Sequence, residues 1–217
     1  MKIVVIGGSG ATGRELVLQL LADPRVESVV ALVRKRFFLS NPKLREVVVD
    51  FDHLKDYANE IQGDIAFSTL GTTLKQAGGK QAQWRVDHDY QVEFADIART
   101  NKMFTFVLLS SANAAEKSLF FYSRMKGAVE KELVQLNFPK LVIVQPGPID
   151  RPGSDRSGEK LGVSFVRFLN RFGLFKTYRP ITTISLAEVL IQCGFSDTAD
   201  SVERIGLREI YAMTSTE

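Results

Sequence analysis

Apolar residues in this chain fall into short, β-branched runs separated by helically periodic segments. That alternation predicts strand–helix–strand units and a parallel sheet. Six runs suit buried strands: Lys2–Ile6, Ser28–Val33, Glu46–Val49, Asp64–Thr69, Thr105–Leu109 and Leu141–Val144. Between them the spacing predicts helices. The first runs from about Gly10 to Ala22, with Leu16, Leu20 and Leu21 as its apolar stripe and Asp23-Pro24 as its stop. The next covers about Leu54 to Ile61, with Asp52 as cap. A long helix follows from Trp84 to Thr100, turning Val86, Tyr90, Phe94 and Ile97 inward. Another opens at Tyr122 and ends near Leu136. Residues 74–83 predict a mobile loop, either a lid or a plain surface loop. The fold class is a doubly wound parallel α/β sheet.

After Asp150 the rhythm changes. Residues 151–158 are polar and rich in turn formers. Leu161, Phe165, Phe168, Leu169 and Phe172 then share one predicted helix face. Pro180–Ile184 reads as extended, and Ser185-Leu186-Ala187-Glu188 as a capping box opening a helix through Cys193. The division expected is a core of residues 1–150 and a small C-terminal lobe of residues 151–217 packed on it.

Chemistry enters at the end of the first strand. Gly7, Gly10 and Gly13 are spaced G-x-x-G-x-x-G, with Ser9, Ala11 and Thr12 between them, at a strand-to-helix turn. Gly7 lets the chain turn sharply, Gly10 lets backbone approach a phosphate, and Gly13 lets helix and strand pack closely. The helix N-terminus then faces a pyrophosphate with unpaired N–H groups and the positive end of its dipole. This is the dinucleotide-binding turn of a Rossmann-like sheet. In such a sheet an acidic residue after the second strand accepts from the ribose 2′-OH of NAD. Here that strand ends in Arg34-Lys35-Arg36, so Arg34 and Lys35 are expected to hold the 2′-phosphate of NADP. Asp50 and Phe51, after the third strand, are placed to meet adenine. Leu70, Gly71 and Thr72, after the fourth, would flank the cofactor's ribose and phosphates.

Tyr122 and Lys126 stand four apart at the start of the helix after the fifth strand, on one face. A nearby ammonium lowers a phenol's pKa, so the pair suits proton exchange with a carbonyl or alcohol oxygen. Ser110 or Ser111, ending the fifth strand, would hydrogen-bond the same oxygen. Pro146 and Ile149 lie in the rigid loop after the sixth strand, on the cofactor's path.

Composition narrows the partners. The 217 residues carry a net charge of +3 and 45% hydrophobic side chains. The charges are scattered, which suits an anionic small molecule and gives no block for nucleic acid. Cys193 is the single cysteine, and His53 and His88 lack metal-ligand spacing, so neither disulfide nor metal is expected. Both histidines read as surface or helix-end residues. Neither a signal sequence nor a membrane span is expected, which points to a cytoplasmic monomer or homodimer.

Taken together, Gly7-Gly8-Ser9-Gly10-Ala11-Thr12-Gly13-Arg14, Val49-Asp50-Phe51, Leu70-Gly71-Thr72-Thr73, Arg85-Val86-Asp87-x-Asp89-Tyr90, Leu109-Ser110-Ser111, Tyr122-x-x-x-Lys126-Gly127 and Pro146-Gly147 resemble the atypical, NmrA-like branch of the short-chain dehydrogenase/reductase superfamily, within it the Tat-interacting-protein group. The resemblance implies an NADP-type cofactor held by Ser9, Gly10, Ala11, Thr12, Arg34, Leu70, Gly71, Tyr122 and Lys126, with Tyr122 as proton acceptor. Gln145 departs from the arginine expected before Pro-Gly. Two functional readings follow: an NADP-dependent oxidoreductase of small carbonyls or alcohols, and an NADP-binding sensor that engages a protein partner without turnover. A sugar-nucleotide epimerase is a third reading, for which the chain after the sixth strand is short.

Overall fold

The computed structural model describes residues 1–150, 180–197 and 200–214. Seven parallel strands form the central sheet: β1 (Lys2–Ile6), β2 (Ser28–Val33), β3 (Leu44–Val48), β4 (Ile65–Ser68), β5 (Thr105–Leu109), β6 (Lys140–Val144) and β9 (Val202–Ile205). Their order is β3-β2-β1-β4-β5-β6-β9. Two short strands, β7 (Ile149–Asp150) and β8 (Ile181–Thr182), pair beside it. The doubly wound class expected from the alternation is the one observed.

Side chains alternate across the sheet, so each strand feeds two cores. On one face Ile3, Val5, Phe67 and Val107 pack with Leu16, Val17 and Leu20 of α1 (Ala11–Ala22) and with Leu186, Leu190 and Cys193 of α6 (Thr183–Phe195). On the other, Val4, Ile6, Ala66 and Phe106 meet Phe94 and Ile97 of α4 (Tyr90–Thr100) and Val129 and Leu133 of α5 (Phe121–Gln135).

Several boundaries differ from the sequence expectation for identifiable reasons. Residues 74–83 are not a plain loop. They hold α2 (Leu74–Ala77) and the start of α3 (Lys80–Trp84). Thr73 caps α2 by accepting the Gln76 N–H at 3.2 Å, and Gly78 stops it at φ 84°. The long helix expected from Trp84 is continuous to Thr100 and begins earlier, as α3; between α3 and α4 it winds through a π turn (Arg85–Asp89) with helical dihedrals at both junctions. The segment after β3 (Phe51–Glu60) is a run of 3-10 turns interrupted by non-helical φ/ψ at His53 and Tyr57, and Asp50 caps it by accepting the Asp52 N–H. Thr182, rather than Ser185, caps α6: its hydroxyl accepts the Ser185 N–H at 3.1 Å. Beyond Asp150 the described residues join the same layers, with α6 on the sheet and β9 paired to β6, and α7 (Leu207–Thr214) after it. The Phe-bearing face of residues 161–172 lies outside the described residues. His88 is buried rather than exposed, stacked on Trp84 with ring centroids 4.6 Å apart.

One buried cation joins the two sides of this core. Lys140, 4% exposed at the start of β6, donates to Cys193 O at 2.7 Å and to the carbonyl of Ser196, at the C-terminal end of α6. An ammonium there satisfies carbonyls that a helix end leaves unpaired and opposes the negative end of its dipole. Lys140→Met keeps much of the volume and removes these bonds. We expect a loss of about 2 kcal/mol, read from the urea midpoint.

Candidate functional site

The turn after β1 has the backbone that its glycines predict. Gly7 adopts φ 78° and accepts the Gly10 N–H at 2.9 Å. A Cβ on Gly13 would stand 2.2 Å from Gly7 O and 2.6 Å from Thr69 Oγ1, so α1 approaches the strand end as only glycine permits. Gly10 is the N-cap of α1 and no side chain caps it; the helix's first backbone bond is Arg14 N–H to Gly10 O at 2.8 Å. The first-turn N–H groups and the dipole's positive end are therefore offered to a ligand.

They open on a cleft of about 710 Å³ at the carboxyl edge of the sheet. It lies where the strand order reverses between β1 and β4, the place at which open α/β sheets bind ligands. Gly7, Ser9, Gly10, Arg34, Asp50, Phe51, Leu70, Gly71 and Thr72 line it. Ala11, Thr12 and Gly13 form the helix turn beside it, and Lys35 is exposed next to Arg34; none of these four is in the lining. Arg34 is exposed and makes no hydrogen bond or ion pair with any described residue.

The wall that carries Asp50 and Phe51 is more elaborate than the sequence reading. Asp50 holds His53 (Oδ2 to Nδ1, 2.9 Å), which keeps the carboxyl below its ordinary range and lifts the imidazole above its own. Asp52 accepts the Tyr90 hydroxyl and pairs with Arg85 Nε at 2.9 Å. Burial, and then Asp52, push the Tyr90 phenol up to about 12. Its ring sits 5.5 Å from that of Phe51. Asp52, Tyr90, Gln76 and Val86 thus belong to the cleft lining although the sequence reading gave them no ligand role. The missed signal lay in residues 74–90: a helical turn bounded by Thr73 and Gly78, and a tyrosine read only as core.

Ser110, Ser111, Tyr122, Lys126, Pro146 and Ile149 do not line this cleft. Ser110, Ser111 and Pro146 follow the carboxyl ends of β5 and β6, Tyr122 and Lys126 are on α5, and Ile149 is in β7. The two serines part ways. Ser110 is buried and gives its hydroxyl proton to Glu130. Gln145 donates to the same carboxylate at 2.9 and 3.1 Å, so the side chain standing where an arginine was expected is a neutral partner of Glu130. Ser111 is half-buried. Tyr122 is 43% exposed. Lys126 is 2% exposed, its Nζ 3.4 Å from Leu109 O. Burial pulls its ammonium below the ordinary range, while Asp87 and Glu130 oppose that. Gly127 brings α5 against the loop after Ser111: a Cβ there would stand 2.2 Å from Glu116 N.

Residues 7–193 match the family described as NAD(P)H-binding. The chain belongs to that family. The helix end without a capping side chain and the cleft at the switch point fit such a cofactor: the volume lies within the ~300–1,000 Å³ usual for small-molecule sites. Protein HTATIP2 of Rattus norvegicus is 36% identical over 170 residues, 76% of this chain and 69% of its own. Protein FMP52, mitochondrial, of Saccharomyces cerevisiae is 31% identical over 163 residues, 73% and 71%. Among solved structures, MoeE5 in complex with UDP-glucose and NAD has a TM-score of 0.72 at 16% identity, covering 99% of this chain and 81% of that one. A short chain dehydrogenase family protein from Francisella tularensis subsp. tularensis SCHU S4 has 0.64 at 16%, covering 97% and 98%. At these identities the structures speak for the fold. No helix among the described residues is long and apolar enough to cross a membrane.

Proposed function

We propose that the protein is an NADP-dependent oxidoreductase acting on a small carbonyl or alcohol. The observation that carries the cofactor choice is Arg34, a guanidinium lining the cleft at the end of β2 with no described partner. The dinucleotide supplies the hydride or accepts it. The chain's own residues do the rest. The first turn of α1, with Ser9, Gly10, Ala11 and Thr12, meets the pyrophosphate. Phe51 offers a ring face to adenine, and Leu70, Gly71 and Thr72 border the ribose and phosphates. Tyr122 holds the proton exchanged with the substrate oxygen, Lys126 stabilises its phenolate, and Ser111 donates to that oxygen because Ser110 is committed to Glu130.

Arg34→Glu tests the cofactor choice. A charge-assisted phosphate contact contributes roughly 1.5–3 kcal/mol, or about tenfold to a hundredfold in affinity. Calorimetry should show NADPH binding more tightly than NADH to the native protein, with that preference erased in the variant. Equal affinities of the native protein for both cofactors would sink the proposal.

The second reading is an NADP-binding sensor that presents a surface to a protein partner. Tyr122 favours it to the extent that its side chain is well exposed and outside the cleft lining. A screen of carbonyl compounds followed by NADPH absorbance separates the two.

A further inference from the structure

The wall of the cleft that follows Thr72 is built unlike the rest. Thr72 itself is fixed. Its N–H donates to Asp87 Oδ1 at 2.9 Å and its carbonyl accepts Gln83 Nε2 at 3.3 Å, and both of those side chains are buried. The chain is fixed again where α3 begins, with the Gln83 N–H bonded to Gly79 O at 2.9 Å. Between these anchors stands α2. No residue of it is buried, Leu74 is 48% exposed, and α3 is its main neighbour among the described elements.

Its shape is nevertheless specified, by short-range bonds. Thr73-Leu74-Lys75-Gln76 has the spacing of a capping box: Thr73 Oγ1 accepts the Gln76 N–H at 3.2 Å and donates to Gln76 Oε1 at 3.3 Å. Gly78, at φ 84°, ends the turn, its N–H bonded to Leu74 O at 3.1 Å. A Cβ on Gly78 or Gly79 would meet no atom within 4 Å, so neither glycine is there to allow close packing. A single helical turn with no buried face has little stability of its own, and segments of that kind open and close around ligands. Yet Gln76 and Ala77 line the cleft together with Gly7, Gly10 and Arg34.

We propose that α2 is a flap that orders and closes over the bound dinucleotide, hinged at Thr73 and at Gly78-Gly79, with Gln76 and Ala77 as its inner surface. In the free protein the segment opens and unwinds readily. The dinucleotide gives it a second surface to pack on, and the capping box and the Gly78 turn give the closed form its geometry. The proposal rests on the cleft holding a dinucleotide; it depends neither on turnover nor on the choice of NADP over NAD.

Hydrogen exchange on the full chain, followed by mass spectrometry over residues 73–79, tests it. These amides should exchange fast in the free protein, and saturating NADPH should slow them about tenfold or more. The exposed turn at residues 100–104, which leads into β5 at the opposite edge of the sheet, should exchange alike in both states and so mark the effect as local. Gly78→Ala gives an independent reading. Its methyl enters open space, so it acts through the backbone alone, by straining the left-handed turn. The free variant should melt within a few degrees of the native protein. Its NADPH affinity should fall about fivefold to tenfold in calorimetry, because the strain is felt in the closed form.

A fixed wall predicts slow exchange in the free protein already, and a plain surface loop predicts fast exchange with and without NADPH. Either result overturns the flap, as does native affinity in Gly78→Ala. Calorimetry that finds binding of neither NADPH nor NADH overturns the cofactor reading and the flap with it. Binding without protection of residues 73–79 overturns the flap alone.

Discussion

Tyr122→Phe is expected to bind NADPH like the native protein and to turn over about 10²–10⁴-fold more slowly on any carbonyl the screen finds. Phenylalanine keeps the ring and loses the proton. Tyr122 is outside the cleft lining and 43% exposed, and phenylalanine keeps its ring, so the melting temperature should change little. In the proposed mechanism Lys126 is the charged neighbour that brings the phenol toward neutral pH. A free tyrosine titrates near ~10, and a charged neighbour brings that down. Burial weakens the lysine's hold on its proton, and Asp87 and Glu130 only partly offset that. Equal NADPH oxidation by native and Tyr122→Phe proteins would overturn the acid–base role. Lys126→Met should reduce turnover as well, since it removes the charge proposed to act on the phenol.

How far the sequence carried this picture depended on where each residue sits in the sheet. The central strands were legible because they are buried on both faces: β5 and β6 are apolar enough to read as continuous runs. The edges were not. In β9, Val-Glu-Arg-Ile, only Ile205 is buried, so the seventh strand carries no apolar run to find. At the other edge β3 is half exposed, and its observed bounds, Leu44–Val48, begin and end earlier than the Glu46–Val49 run that suggested it. The glycine turn was legible because its spacing is local, within thirteen residues, although the atoms that exclude a Cβ at Gly7 belong to Thr69 and Leu70.

The side-chain partners were a different matter. Ser110 and Ser111 are equivalent in sequence, and only Glu130, twenty residues on, separates them. The four-residue spacing of Tyr122 and Lys126 says that they share a helix face. It does not say that one is exposed and the other enclosed, which follows from the packing of α5 on β5 and the π turn. His88 likewise reads as a polar helix residue until Trp84 is seen stacked on it.

Gly7→Ala is the substitution expected to damage the fold most. Gly7 sits at φ 78°, and a side chain in the left-handed region costs about 1–2 kcal/mol. The added Cβ would also stand 2.5 Å from Leu70 N and 2.5 Å from the carbonyl carbon of Thr69. Both are backbone atoms of the loop leaving β4, so no rotamer relieves the contact; overpacking adds about 1–3 kcal/mol. The sum is about 2–5 kcal/mol, or about 5–15 °C in melting temperature for a domain of this size. The loop that must move is the one ending in Leu70, Gly71 and Thr72, so NADPH affinity should fall with stability. Gly10→Ala separates the two effects. Its Cβ would meet only Gly7 O, at 3.2 Å, and would otherwise project into open space at the helix end. That variant should melt within a few degrees of the native protein and lose roughly tenfold or more in NADPH affinity, because the methyl stands where backbone must approach phosphate. Calorimetric titration and thermal melts of both variants check this. If Gly10→Ala bound NADPH as tightly as the native protein, the phosphates would have to lie elsewhere than on the first turn of α1.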